Sequence, residues 1–191
     1  MKKITLIRHA KVDINNTNKI DSLSLKNWIE MYDNAPITIE SLPSEDTISL
    51  AKKTNIVMTS TLKRTIESAK VLGVDVYEKN SLFNEAAIPN INVPFIKLKP
   101  KSWLIILRLM LLLRLGEKNK SLKASKTQAK KAARRLEELA FHNDLVLLIG
   151  HGGMNWLIHK VLLKHGWQVE GKISYKNWGT ITLRKSKIMI D

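Results

Sequence analysis

The sequence contains no cysteine. Without thiols there is no disulfide, no thiolate-held zinc and no cysteine nucleophile, so cysteine-dependent phosphatases are excluded with every other cysteine mechanism. Long apolar runs are missing as well. The longest, Trp103–Leu115, is about 13 residues, or ~20 Å as a helix, where a bilayer core needs roughly 20 residues. Arg108 and Arg114 interrupt it, so no membrane span is expected. Acidic residues are scarce: 17 Asp+Glu stand against 32 Lys+Arg, a net charge of +15 at neutral pH. A field of that sign draws anions, whether phosphorylated metabolites, nucleic acid or an acidic membrane surface, and does not choose among them. The Gly-x-x-x-x-Gly-Lys-Ser/Thr phosphate loop, the Gly-x-Gly-x-x-Gly fingerprint and the His-Glu-x-x-His zinc pattern do not occur either.

What is present suits one globular domain over residues 1–191, 44% hydrophobic and 26% charged, with enough chain to bury a core. The apolar stretch Ile4–Ile7 is cut short by Arg8 and His9 and makes no export signal, so a cytoplasmic location is expected. Short apolar segments, Lys3–Ile7, Asn55–Met58, Val74–Tyr77 and Asp144–Ile149, read as strands, with Lys172–Tyr175 and Thr180–Leu183 as late ones. Helical spacing predicts helices over Ser24–Tyr32, from a Ser44 cap through Lys53, and over Leu62–Leu72 before Gly73. Further helices are predicted from a Ser102 cap to near Gly116, from Ser125 along an Ala129, Ala132, Ala133, Leu136, Leu139 and Ala140 stripe, and from about Met154 to Lys164. Strands separated by helices indicate an α/β three-layer sandwich with a mainly parallel central sheet, in which ligands bind beyond the carboxyl ends of the strands.

Three clusters fall at such strand ends. Arg8-His9 follows the first strand; a histidine nucleophile needs a neutral imidazole and fixed positive charge to hold phosphoryl oxygens, although Arg-His alone is a common surface pair. Ser60-Thr61-Leu62-Lys63-Arg64 sits at a strand-to-helix junction, where free N–H groups and an arginine can clamp a phosphate, or where a helix is simply capped. Gly150-His151-Gly152-Gly153 ends the clearest strand, and its glycines let a ligand approach the backbone closely. Glu85, in the irregular stretch Glu78–Ser102, is one glutamate among many by itself, and its carboxylic acid is of the kind that protonates a leaving oxygen.

In order along the chain these motifs resemble the histidine phosphatase superfamily, the phosphoglycerate-mutase-like two-histidine enzymes. The opening Arg-His-Gly/Ala motif is matched by Arg8-His9-Ala10, and the asparagine that follows it by Asn15. The Ser-x-Leu-x-Arg junction is matched by Ser60, Leu62 and Arg64, the second-histidine Gly-His-Gly by Gly150-His151-Gly152, and the proton donor by Glu85. The resemblance implies a phosphoglycerate-mutase-like fold and a two-step transfer through a phosphohistidine. In it His9 attacks, and Arg8, Arg64 and His151 hold the oxygens. Glu85 serves as acid and then base, and Asn15, Ser60 and Gly152 contribute to the phosphate site. It implies no metal and no cofactor. Lys11 and Val12 stand where mutases usually carry Glu and Thr, which favours hydrolysis of a phosphomonoester over a phosphoglycerate-type mutase. A non-catalytic phosphate- or nucleic-acid-binding module is the rival from another class.

The expected substrate is a small phosphorylated molecule or a phosphoprotein. An insert at about 86–118, with Pro89, Pro94 and Pro100, is expected to set specificity; its apolar helix reads as core, lid or dimer contact, so a homodimer stays open. The basic run Lys118–Arg135 has no interleaved aromatics and reads as a solvated helix face, so no nucleic acid is expected. His159 and His165 read as satisfied surface histidines, and Trp156, Trp167 and Trp178 as core or pocket wall.

Overall fold

The structure, a computed structural model, describes residues 1–87, 92–112 and 120–186. The central strands are apolar on both sides. In β1 (Lys2–Arg8), Ile4 and Leu6 point to one face of the sheet and Ile7 to the other. In β4 (Leu145–Gly150), Val146 and Leu148 oppose Leu147 and Ile149; in β2 (Ile56–Thr59), Met58 opposes Val57. Strands of this kind are stable only when both faces are covered, each buried Leu or Ile contributing roughly 1.5–3 kcal/mol. One face is covered by α5 (Lys120–His142), through its Ala129, Ala132, Ala133, Leu136 and Ala140 stripe, and by α6 (Gly152–Lys164), through Met154, Ile158 and Leu162. The other is covered by α2 (Glu45–Lys52) and α3 (Lys63–Leu72), through Ala51, Ala69 and Leu72.

With β3 (Glu78–Lys79), β5 (Gln168–Glu170) and β6 (Thr180–Lys185), the sheet has the order β3-β2-β4-β1-β6-β5. Strands β3, β2, β4 and β1 are mutually parallel, and β6 is antiparallel to both of its neighbours, so five of the six strands run one way. The expected three-layer α/β sandwich with a mainly parallel sheet is what forms. The register carries the functional consequence. Arg8 lies opposite Gly150 and Ile149 opposite Thr59, so the residues that follow, His9, His151 and Ser60, leave the sheet side by side at its carboxyl edge.

A third, smaller cluster joins α1 (Ser22–Asn34) to α4 (Pro100–Leu112): Leu25 and Trp28 meet Trp103 and Leu107, while Ile105 and Leu109 on α4 stay exposed. The segment holding α4 is further tied to the body by the Ile20–Leu98 bridge and by Trp103 Nε1 donating to Ile20 O at 2.7 Å. Among the described residues no helix is long and apolar enough to cross a membrane.

Several local expectations shift. Helix α4 begins at Pro100 rather than after a Ser102 cap, because proline is pre-set for the first helical position and Lys99 O takes the N–H groups of Ser102 and Trp103. Its expected end near Gly116, with Pro89 and Lys118, lies outside the described residues. Helix α5 starts at Lys120, ahead of Ser125. The predicted strand Val74–Tyr77 meets β2 only at its end, where Tyr77 N–H donates to Val57 O at 2.8 Å, and the strand follows as β3; Val74 N still bonds back to Ala69 O past the left-handed Gly73. Lys172–Tyr175 is not a strand; pairing ends at Gly171 (φ 79°), and the residues after it form a loop that grips the end of β1.

Candidate active site

His9 is 2% exposed, and every polar group of its backbone is held. Its N–H donates to Gly150 O at 3.0 Å and its carbonyl accepts Asn177 Nδ2 at 2.8 Å. The next N–H, of Ala10, donates to Ser68 Oγ at 2.9 Å. Its ring Nδ1 lies 2.6 Å from Ala10 O, a group that only accepts, so Nδ1 carries the proton. Burial first, then the electrostatic opposition of His151, Arg64 and Arg8 to a proton on this ring, holds its pKa well below the ordinary imidazole value. A neutral ring protonated on Nδ1 has its lone pair on Nε2, which is the state a nucleophilic histidine needs.

His151 faces it across the pocket, with ring centroids 5.2 Å apart and planes at 59°. Arg64 Nε donates to His151 Nδ1 at 3.2 Å, so Nε2 carries the other hydrogen and donates to Ser60 Oγ at 2.8 Å. Ser60 Oγ also accepts Leu62 N–H at 3.1 Å and lies 2.9 Å from Thr65 Oγ1, which in turn donates to Leu62 O at 2.8 Å. The β2–α3 junction is thus wired to the second histidine.

Two arginines supply positive charge. Arg64, 2% exposed, is held by Asp33 Oδ1 on its Nη1 at 2.7 Å and lies 4.8 Å over the ring of Tyr32, both from α1. Arg8 donates from Nη1 to Tyr175 O at 3.0 Å, while its Nε is buried with no partner among the described residues. A buried unpaired donor of this kind costs about 1–3 kcal/mol, and an anion's oxygen would satisfy it. Arg8 runs across Gly152, where an added Cβ would come within 3.5 Å of its side chain.

Glu85 reaches the first turn of α6, where Oε1 accepts Met154 N–H at 3.0 Å and Ala86 N–H at 3.0 Å. A Cβ at Gly153 would lie 2.7 Å from the same oxygen, so glycine there admits the carboxyl group. Gly153 thus admits Glu85, and Arg8 passes the neighbouring Gly152, at one helix turn beside His151. Gly150 makes similar room: a Cβ there would overlap Asn155 Oδ1, whose amide Nδ2 donates to Ile7 O at 3.1 Å.

His9, His151, Arg8, Arg64, Ser60, Gly152 and Glu85 thus surround one edge of the sheet. Asn15 makes no hydrogen bond to any of these side chains. It is exposed, and its Oδ1 accepts both the N–H and the hydroxyl of Thr17 in a local turn. Sequence reasoning missed Asp33 and Tyr32, which orient Arg64, and Asn177 and Tyr175, which hold His9 and Arg8. The turn Asn177-Trp178-Gly179 ahead of a strand was a usable signal; Asp33 offered none. Trp178 adopts φ 60°, a strained conformation for a non-glycine residue, held by its N–H on Arg8 O at 3.0 Å and its indole on Ser41 O at 2.9 Å. His159, expected at the surface, is buried behind this loop with Nδ1 2.7 Å from Tyr175 Oη; His165 is exposed and pairs with Glu137 at 2.8 Å. Among the described residues no cluster of three His, Asp or Glu side chains is placed to hold a metal ion.

No protein-family model matches the sequence, and no curated protein matches it. Solved structures do. A variant of the phosphoserine phosphatase of Entamoeba histolytica in complex with phosphoserine superposes with a TM-score of 0.55 at 18% identity, covering 95% of this chain and 90% of that one. The same enzyme with 3-phosphoglyceric acid gives 0.53 at 17% identity over the whole of both chains. A mycobacterial glucosyl-3-phosphoglycerate phosphatase complexed with VO3 gives 0.53 at 15% identity, covering 86% of this chain and 83% of that one. The chain has the fold of these phosphatases.

Two measurements test this geometry. The unfolded chain takes up a proton on His9 as pH falls through about 6.5 while the folded chain does not, so stability is full above that value and declines below it. His159, lowered by burial, adds a decline of the same sign. In phosphate-free buffer, the urea midpoint of His9→Asn is expected to fall less between pH 7 and pH 5 than that of the wild type; equal slopes would contradict a desolvated neutral His9. Because Asp33 occupies Arg64 as a resident anion, Asp33→Asn is expected to bind vanadate about three- to tenfold tighter by calorimetry. Weaker binding would make Asp33 only a prop for Arg64.

Proposed function

We propose that the chain is a phosphomonoesterase that works through a phosphohistidine. The observation that carries this reading is His9 itself: a buried ring, tethered at Nδ1 to Ala10 O, set opposite His151 among arginine side chains.

In the first step the Nε2 lone pair of His9 forms a bond to phosphorus as the bond from phosphorus to the ester oxygen breaks in line. Arg8, Arg64 and His151, whose Nε2–H turns from Ser60 Oγ to the substrate, hold the equatorial oxygens, where charge is redistributed in the transition state. The acid form of Glu85 passes its proton to the departing oxygen. In the second step the Glu85 carboxylate takes a proton from water, the water oxygen bonds to phosphorus, and the N–P bond breaks to release inorganic phosphate and restore His9. The transfer draws its fixed positive charge from the two arginines. Ser60 contributes by orienting His151, and Gly152 by its place in the first turn of α6 beside the Arg8 side chain. Asn15 is assigned to the phosphate site through its amide Nδ2, its Oδ1 being held by Thr17.

The substrates we infer are small phosphorylated metabolites or a phosphoprotein of the cytoplasm. Support comes from the phosphate esters bound by neighbours of the same fold and from the basic surface. Specificity is assigned to the insert at about 86–118 of a single domain. Its α4 packs on α1 through Trp103 and Leu107, and α1 carries the residues that hold Arg64.

Leaving-group dependence tests the assignment of acid and nucleophile together. His9→Ala is expected to lose activity on every phosphomonoester. Glu85→Gln is expected to lose about 10²–10⁴-fold on alkyl phosphates, whose oxygens need a proton, and far less on p-nitrophenyl phosphate, whose leaving group does not. Equal losses on both substrates would remove Glu85 as the acid, and retained turnover in His9→Ala would remove the mechanism.

A further inference from the structure

Helices α5 and α6 both run against β4, one leading into it and one leaving it, so they lie side by side in the same direction, with Glu137 meeting His165 near their ends. Between their outer faces is an open groove of about 710 Å³. Its floor is apolar: Leu122 and Ala129 from α5, Trp156, Leu157 and Val161 from α6. Its rims are cationic. Lys123, Lys126 and Lys130 repeat at helical spacing along one wall, and Lys160 and Lys164 stand one turn apart on the other, all exposed. No acidic residue lines it, and none of the five lysines makes an ion pair among the described residues. Five ammonium groups around one apolar trough repel one another, and a complementary anion relieves that repulsion.

We propose that this groove docks an acidic, amphipathic helical segment of a protein partner. The shape and the charge pattern select that occupant. A helix laid along the trough presents an apolar stripe to the floor and carboxylates on both flanks, matching lysines on both rims over about two turns. A flat bilayer meets convex surfaces and does not reach the floor of a trough between two helices. A single-stranded nucleic acid relies on successive aromatic platforms, and the floor offers one indole among aliphatic side chains. None of His9, Arg64 and Glu85 lines the groove, and the proposal does not rest on the catalytic reading.

Trp156 is a built-in reporter, since the other four tryptophans, Trp28, Trp103, Trp167 and Trp178, are buried. The probe is a synthetic 18-residue helical peptide without tryptophan, with leucines on one stripe and glutamates on both flanks. It is compared with a scrambled peptide of the same composition, polyglutamate of the same charge, a thymidine oligonucleotide and phosphatidylglycerol vesicles. The amphipathic peptide is expected to shield Trp156 from acrylamide, to bind at least tenfold tighter than each comparison probe, and to weaken as salt rises. Lys126→Glu with Lys160→Glu is expected to weaken it at least tenfold, and the milder Lys123→Ala with Lys164→Ala to weaken it severalfold with an unchanged circular dichroism spectrum. Equal binding of the scrambled peptide or polyglutamate, tighter binding of oligonucleotide or vesicles, unaltered binding by both variants, or no binding at all would each overturn the proposal.

Discussion

The site depends on the parallel pairing of β1, β4 and β2. Parallel strands in register end together, and here the residue after each end is His9, His151 or Ser60. At that edge side chains of sequence-distant segments stand within hydrogen-bonding reach without unpairing the sheet. The apolar alternation of the three strands buries the edge deeply enough to strip water from His9, and the nearby cations oppose its protonation further. Register, burial and charge therefore converge on one consequence, an unprotonated Nε2 facing a basic pocket.

Everything else near the site serves to hold that arrangement. The loop between β5 and β6 takes the backbone of Arg8 and His9 through Trp178 and Asn177, and the Arg8 side chain through Tyr175 O. Helix α1 contributes Asp33 and Tyr32 to Arg64, and α4 braces α1 from outside. The Glu85 segment is tied down on both sides, by Asn84 Oδ1 accepting from Thr61 and by Gln128 of α5 donating to the carbonyls of Leu82 and Asn84. The groups proposed to do the chemistry sit on strand ends or beside them, and the groups that orient them come from the helices and loops around.

How much of this was legible in the sequence follows from the range of the interactions. Strand segments with apolar residues on both faces are a local pattern, so β1, β2 and β4 could be read to within a residue or two, and the motifs at their ends with them. Gly150 and Gly153 signalled a close approach, and the structure shows what approaches: Asn155 and Glu85. The pairing of Arg64 with Asp33 is a contact between two helices, and nothing around Asp33 marks it. Lys172–Tyr175 has the composition of a strand but serves as a loop, because its contacts to Arg8 and His159 outweigh local preference. The lysines of α5 looked like a solvated face until α6 placed Lys160, Lys164 and Trp156 opposite them.

The central claim is that His9 is the residue that receives the phosphoryl group. Rapid mixing with a phosphomonoester followed by alkaline quench, where a phosphoramidate survives and an acyl phosphate does not, tests it most directly when joined to peptide mapping. The outcome required is a transient mass increase of one phosphoryl group on the peptide containing His9, absent from His9→Ala. A phosphoryl group found instead on His151, on Glu85, or on no residue while turnover proceeds would contradict the account.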